Sequence, residues 1–213
     1  MNDHKIIFDK NNLTKNLHVA VSGGEDSIAA AHFLMTMKYD FTILHFNHKQ
    51  RPQNDDMQER VSKFCDTFNL KLITGSLDDF PAGSSTSTED SLRNARLSFF
   101  GSIPNNPSIV LAHHLDDAVE SYLMNCLVGT PEYIPIPERS EWESFTVHRP
   151  FLKNRKKVFI NWIKKNNLEK FIVHDETNQD YSFRRNHIRN VVVPSIEKTY
   201  EGLPKVVKKK FYL

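Results

Sequence analysis

Over the first 128 residues, short apolar runs alternate with longer helix-forming stretches, and this alternation limits the fold more than any other feature. Residues 17–21, 41–46, 70–73 and 109–112 read as buried strands. Each is followed by a helical stretch, at residues 28–37, 57–68, 88–100 and 116–128. In the second of these, Met57, Val61, Phe64 and Phe68 share one helical face. Strands alternating with helices build a parallel sheet covered on both sides, so the expected class is α/β with a doubly wound parallel sheet. The pattern stops at Gly129, and Pro131, Pro135 and Pro137 then break up residues 129–147, which read as a loop. Residues 155–166 and 183–193 read as helix, with a turn-like stretch at 175–181 between them. The expected organisation is a nucleotide-binding domain over residues 1–148 and a small, basic, mainly helical extension over residues 149–213.

The charge supports that division. Residues 1–148 carry 12 Lys and Arg against 20 Asp and Glu, whereas residues 149–213 carry 16 against 6. An acidic body followed by a basic segment suits a polyanionic partner such as RNA, although Lys-rich helices also present solvated faces. A hydrophobic share of 39% with 25% charged residues is ordinary for a soluble globular chain. No apolar run approaches the length of a membrane span and the first ten residues are too polar for a secretory signal, so the expectation is a cytoplasmic protein with no membrane partner. Only Cys65 and Cys126 occur, far apart, which leaves neither a disulfide framework nor a cysteine-rich metal site to read.

The first strand runs into Ser22-Gly23-Gly24-Glu25-Asp26-Ser27, a tight loop that opens a helix. Backbone N–H groups at the positive end of a helix dipole make a seat for phosphate. No lysine follows the glycines as in a P-loop, so the loop is expected to hold a pyrophosphate without transferring the terminal phosphoryl group. The segment resembles the SGGxDS signature of N-type ATP pyrophosphatases, which cleave ATP between the α and β phosphates and adenylate a substrate. The resemblance implies ATP contacts from Ser22, Gly23, Gly24, Glu25, Asp26 and Ser27, with Asp26 also holding magnesium. A plain helix-capping role is the structural alternative for Asp26.

Four further segments narrow the resemblance to lysidine synthetases. Asp116, Asp117 and Glu120 open a helix after His113-His114, and spacings of three and four put Glu120 on the face of both aspartates. Clustered oxygen ligands at a sheet's carboxyl edge suit magnesium, while acidic residues in a first helical turn also simply complement the dipole. Residues 112–121 resemble the family's AHHxDDxxET segment, which implies Asp117 and Glu120 as metal ligands and catalytic groups, and His113 at the nucleotide. His45 and His48, with Arg51-Pro52 after them, resemble an HxxHxLRP segment and imply nucleotide contact; zinc is disfavoured because no cysteine lies nearby. Glu89, Arg93 and Arg96 share a helix face and match an ExxARxxRY pattern, with Leu92 and Leu97 at its Ala and Tyr positions. Arg93 is then expected in catalysis and Arg96 at the cofactor, the alternative being a helix salt bridge.

The last block is the most specific. Asp175-Glu176-Thr177-Asn178, then Arg185-Asn186 and Arg189, with Pro194 beyond, resembles a DxSN…RNxxR…P segment, and Arg149-Pro150-Phe151-Leu152 resembles the RPLL before it. Arg189 is taken as a catalytic group, with a solvated basic helix as the alternative. The family's usual glycine-serine-glycine loop reads Gly129-Thr130-Pro131 here. What the resemblance implies is adenylation by ATP and Mg2+ of the wobble cytidine in a tRNA(Ile) with a CAU anticodon, followed by attack of free L-lysine. Other adenylating enzymes of the fold, tRNA-thiolating or acting on small molecules, and a non-catalytic RNA-binding protein are the alternatives. A homodimer is compatible with the sequence.

Overall fold

The computed structural model describes residues 5–10, 13, 16–81, 88–173 and 184–213. Six strands form one sheet: β1 (Leu17–Ala20), β2 (Thr42–Asn47), β3 (Lys71–Ser76), β4 (Ser108–Val110), β5 (Arg139–Glu141) and β6 (Thr146–His148), in the order β3-β2-β1-β4-β6-β5. All neighbours pair in parallel except β5, which runs antiparallel to β6. Alternating side chains serve opposite faces. Ile43 and Val110 join one core with the helices α1 (Glu25–Thr36) and α2 (Pro52–Phe68), whereas Leu44 and Ile109 join a second with α3 (Thr88–Gly101). The sheet is therefore wound on both sides, as the alternating sequence predicts.

Glycine allows the closest of these contacts. A Cβ on Gly75 of β3 would lie 2.5 Å from the Phe99 ring of α3. Helix α2 begins five residues earlier than periodicity alone suggests, because Pro52 occupies its first turn and Asn54 Oδ1 accepts the Arg51 N–H at 3.1 Å.

The expected loop over residues 129–147 needs correction, since it contains β5 and most of β6. Three-residue strands are too short to show a period, and burial of Phe145 and Val147 against Phe100 and Ile109 holds them in place. Further along, α5 (Lys156–Lys165) packs on α1, and Phe151, Phe159 and Ile163 enter the same core as Ile28 and Leu34.

The C-terminal helices are α6 (Arg184–His187), a π turn over Ile188–Val192, α7 (Val193–Thr199) and α8 (Leu203–Phe211). Buried Val207 and Tyr212 pack on α4 (Leu115–Leu127). No helix among the described residues is long and apolar enough to cross a membrane.

Candidate active site

Strand order reverses around β1, which has β2 on one side and β4 on the other. In open α/β sheets a crevice forms at such a point, beyond the carboxyl ends of the strands. The segments after β1 and β4 meet there, around a cavity of about 440 Å3.

The wall after β1 is made mostly of backbone. Gly23 sits at φ +93, a conformation that L side chains rarely adopt, and its Cβ position is 3.3 Å from Met57. Gly24 precedes α1 and provides no side-chain cap, so the N–H groups of the first turn are left for an anion. Ser27 Oγ stiffens the loop, donating to Gly24 O at 3.0 Å and accepting the Ser22 N–H at 3.2 Å.

The wall after β4 consists of interlocked side chains. His114 caps α4: its Nδ1 accepts the Asp117 N–H at 3.2 Å, and its own N–H donates to Asp117 Oδ2 at 2.9 Å. Nε2 of the same ring lies 3.5 Å from Asp26 Oδ2, which ties the two walls together. Burial opposes charge on His114 while Asp117, Asp26 and Asp116 raise its pKa; with Nδ1 accepting the Asp117 N–H, the ring's proton sits on Nε2, facing Asp26. His113, beside it, moves the other way, down to about 4, chiefly through burial. The third wall comes from the end of β2. His45 donates from Nδ1 to Val21 O at 2.8 Å and burial lowers its pKa. Burial, reinforced by Arg96 and His45, lowers His48 to about 4. His45, His48 and His113 are thus neutral near pH 7. Each has a buried nitrogen without a partner, as does Arg96 at Nε, and all four line this cavity. Such groups are costly to bury unless a ligand satisfies them.

Helix α6 and the π turn bring two arginines onto α4. Arg189 Nε donates to Glu120 Oε1 at 2.7 Å, and Arg185 Nε donates to Glu120 Oε2 at 3.0 Å. Both guanidiniums also approach Asp117 Oδ1, at 3.4 and 3.3 Å. Local π geometry is common at functional sites, and here it supports the turn that carries Arg189. Asp116 turns elsewhere, pairing with Arg155 at 3.0 Å and capping α5 through the Lys156 N–H at 2.7 Å.

Most of the sequence-predicted residues therefore converge. Ser22, Gly24, Glu25, Asp26, Ser27, His45, His48, Arg96, His113, Asp117 and Arg189 line the cavity, with Gly23 shaping its loop and Arg93 lining a neighbouring cavity. Asp26 suits magnesium, because its Oδ1 is buried at the cavity wall with no partner, and Asp117 adds a second carboxylate. Glu120 is 3% exposed, and both of its oxygens accept from arginine. Arg185, quoted in the sequence as part of the RNxxR segment but given no role there, pairs with Glu120, and Lys156 lines the cavity from α5 with no local signal. Residues 175–178 lie outside the described residues.

The chain is similar to the tRNA(Ile)-lysidine synthase of Borreliella afzelii, 31% identical over 218 residues that cover 95% of this chain and 48% of the relative. The enzyme of the same name from Francisella tularensis subsp. tularensis is 28% identical over 196 residues, 90% of this chain and 48% of the relative. The chain spans about half the length of these curated relatives. Among solved structures, a tRNA thiolase from Methanococcus maripaludis has the same fold, with a TM-score of 0.71 at 15% identity, covering 96% of this chain and 74% of that one. The family model described as the PP-loop domain matches residues 3–196, and the chain belongs to that family.

Proposed function

We propose that this chain is a tRNA(Ile)-lysidine synthetase, which adenylates the wobble cytidine of a tRNA with a CAU anticodon and joins it to lysine. The observation that carries the reading is the meeting of three elements in one crevice. The Ser22–Ser27 loop can seat phosphates, the α4 carboxylates stand beside it, and Arg185 and Arg189 of the basic segment close over them. The lysidine-synthase names of relatives matching along nearly the whole chain support the choice of substrate.

In the first step O2 of the cytidine attacks the α-phosphate of ATP, and pyrophosphate leaves. The first-turn N–H groups of α1 are aimed at phosphate oxygens and cost no reorganisation as charge develops. Asp26 and Asp117 would hold magnesium, which supplies charge neutralisation on the departing pyrophosphate. Neutral His45, His48 and His113 can accept or donate hydrogen bonds to the nucleotide without adding charge. In the second step the lysine ε-amine attacks C2 as its neutral form, the C2–O2 bond breaks, AMP leaves with O2, and the amine's proton passes to water. Glu120 positions Arg189 and Arg185.

A thiolating alternative is disfavoured, because Cys65 is buried with its thiol pushed up to about 11 by burial and Asp66, and Cys126 is the only other cysteine. The test is to incubate the chain with ATP, magnesium, lysine and the CAU tRNA(Ile), follow pyrophosphate release, and analyse the digested nucleosides by mass spectrometry. A lysine-adduct cytidine that needs all four components is the expected result. Pyrophosphate release without tRNA would assign a small-molecule ligase instead. Basic residues of the extension predict that tRNA affinity falls steeply with salt.

A further inference from the structure

Among the described residues, three lysine or arginine side chains line the cavity at the Ser22–Ser27 loop: Arg96, Lys156 and Arg189. Two of them are committed elsewhere. Arg189 grips Glu120 at 2.7 and 2.9 Å, and Arg96 stands by His48, where its charge helps to lower that histidine. Lys156 remains, on the first turn of α5 and facing the start of α1.

The base of Lys156 is fixed and its tip is loose. Its backbone N–H donates to Asp116 Oδ2 at 2.7 Å, and the adjacent Arg155 bridges Asp116 and Glu197 at 3.0 Å each, so the start of α5 is anchored to α4 and α7. The ammonium, by contrast, lies 3.9 Å from Glu25 Oε2, too far for a hydrogen bond, and this is its one carboxylate contact among the described residues. Glu25 and Asp26 both stand in the first turn of α1, so the open N–H groups there have acidic neighbours. A pyrophosphate seated on those groups adds further negative charge and calls for cations beside it. The loop supplies none, because no lysine follows its glycines. A lysine on a flexible stem can exchange a weak partner for a phosphate oxygen without disturbing its helix.

We infer that Lys156 is the side-chain cation of the pyrophosphate seat: when ATP binds, its ammonium leaves Glu25 for the β- and γ-phosphate oxygens and stays with them as pyrophosphate departs. The inference rests on the ATP-dependent reading above. Asp116 serves it indirectly, by capping the helix that carries Lys156. Negative charge grows on the leaving group as the α–β bond breaks, so a cation placed there favours the departing pyrophosphate over bound ATP. The competing account is an ion pair that merely joins α5 to α1, which predicts lost stability without lost affinity.

Isothermal titration of the full chain with ATP, AMP and pyrophosphate, each with magnesium, tests this without tRNA or turnover. Lys156→Ala should weaken ATP and pyrophosphate about tenfold and leave AMP within about twofold of the wild type. Lys156→Arg keeps the positive charge and should recover most of the loss. The side chain is 39% exposed, so added salt should narrow the gap between the wild type and Lys156→Ala, and thermal unfolding should show little change. Unchanged ATP affinity in Lys156→Ala, an equal loss for ATP and AMP, or a loss that Lys156→Arg does not recover would each overturn the inference. So would a wild type that binds neither ATP nor pyrophosphate. A lowered melting temperature with normal ATP affinity would also overturn it and assign Lys156 to the interhelix pair. A wild type and variants that follow the expected pattern, with no lysine-adduct cytidine formed on tRNA, would uphold the inference and count against the proposed function alone.

Discussion

The two walls of the crevice do their work with different parts of the chain. After β1 the working groups are backbone N–H groups, and side chains mainly hold the loop in shape. After β4 the working groups are side chains held by partners both near and far: Asp117 by His114 of the same helix cap, His114 by Asp26 of the other wall, and Glu120 by two arginines some 65 residues further on. A backbone site depends on local conformation, and a buried charge network depends on the whole fold. Damage to the first should show in nucleotide handling, and damage to the second should show in stability as well.

The largest effect is expected at Glu120. Glu120→Ala leaves Arg185 and Arg189 facing only the longer contacts to Asp117, and because the two guanidiniums are 40% and 29% exposed the loss is about 2 kcal/mol, less than for a fully buried pair. Urea unfolding measures this, and a change below about 0.5 kcal/mol would dissolve the contrast between the walls. Next is Gly23→Ala, which forces a side chain into φ +93 against Met57. Strain of this kind costs about 1–2 kcal/mol and displaces the loop, so ATP affinity should fall about tenfold while the melting temperature moves by only a few degrees.

A pH series sharpens the comparison on the side-chain wall. His113 and His48 have pKa values of about 4 in the folded chain, against the ordinary value of 6.5. Their neutral forms therefore stabilise the fold above pH 6.5, and that contribution is lost as pH falls from 6.5 towards 4. Thermal melts across that window should decline for the wild type and decline less for His113→Gln. An identical decline in the two proteins would remove His113 from the account. The smallest effect is expected for Gly24→Ala. Gly24 has φ −81, and an added Cβ would come no closer than 3.5 Å to Ser22 Oγ. Stability should change by less than about 0.5 kcal/mol, and ATP affinity should stay within about threefold of the wild type. If Gly24→Ala were as harmful as Gly23→Ala, steric access rather than the left-handed turn would govern the loop.

Much of the first wall was legible in the chain. A short apolar run, two glycines and a helix-forming stretch are neighbours in sequence, and their geometry follows from local rules of turn and helix. Asp117 and Glu120 could be picked out by spacing, and their shared helix face is real. Their partners could not be picked out. Spacing on one helix says nothing of an arginine brought across from α6 and the π turn, and so the ion pairs of Glu120 appear only in the fold.

The same division holds for the whole molecule. The α/β class, the four β–α repeats, the glycine loop before α1 and the clustering of basic residues after Arg149 can all be read from the chain, because each depends on periodicity, composition or a turn within a few residues. That residues 139–148 form a hairpin on the sheet, that α8 packs on α4, and that Arg96, Arg149 and Trp142 line a second cavity becomes visible in the folded chain alone. Those features arise from burial and charge pairing between distant segments. Three-residue strands and isolated arginines carry no local signal of what they will meet.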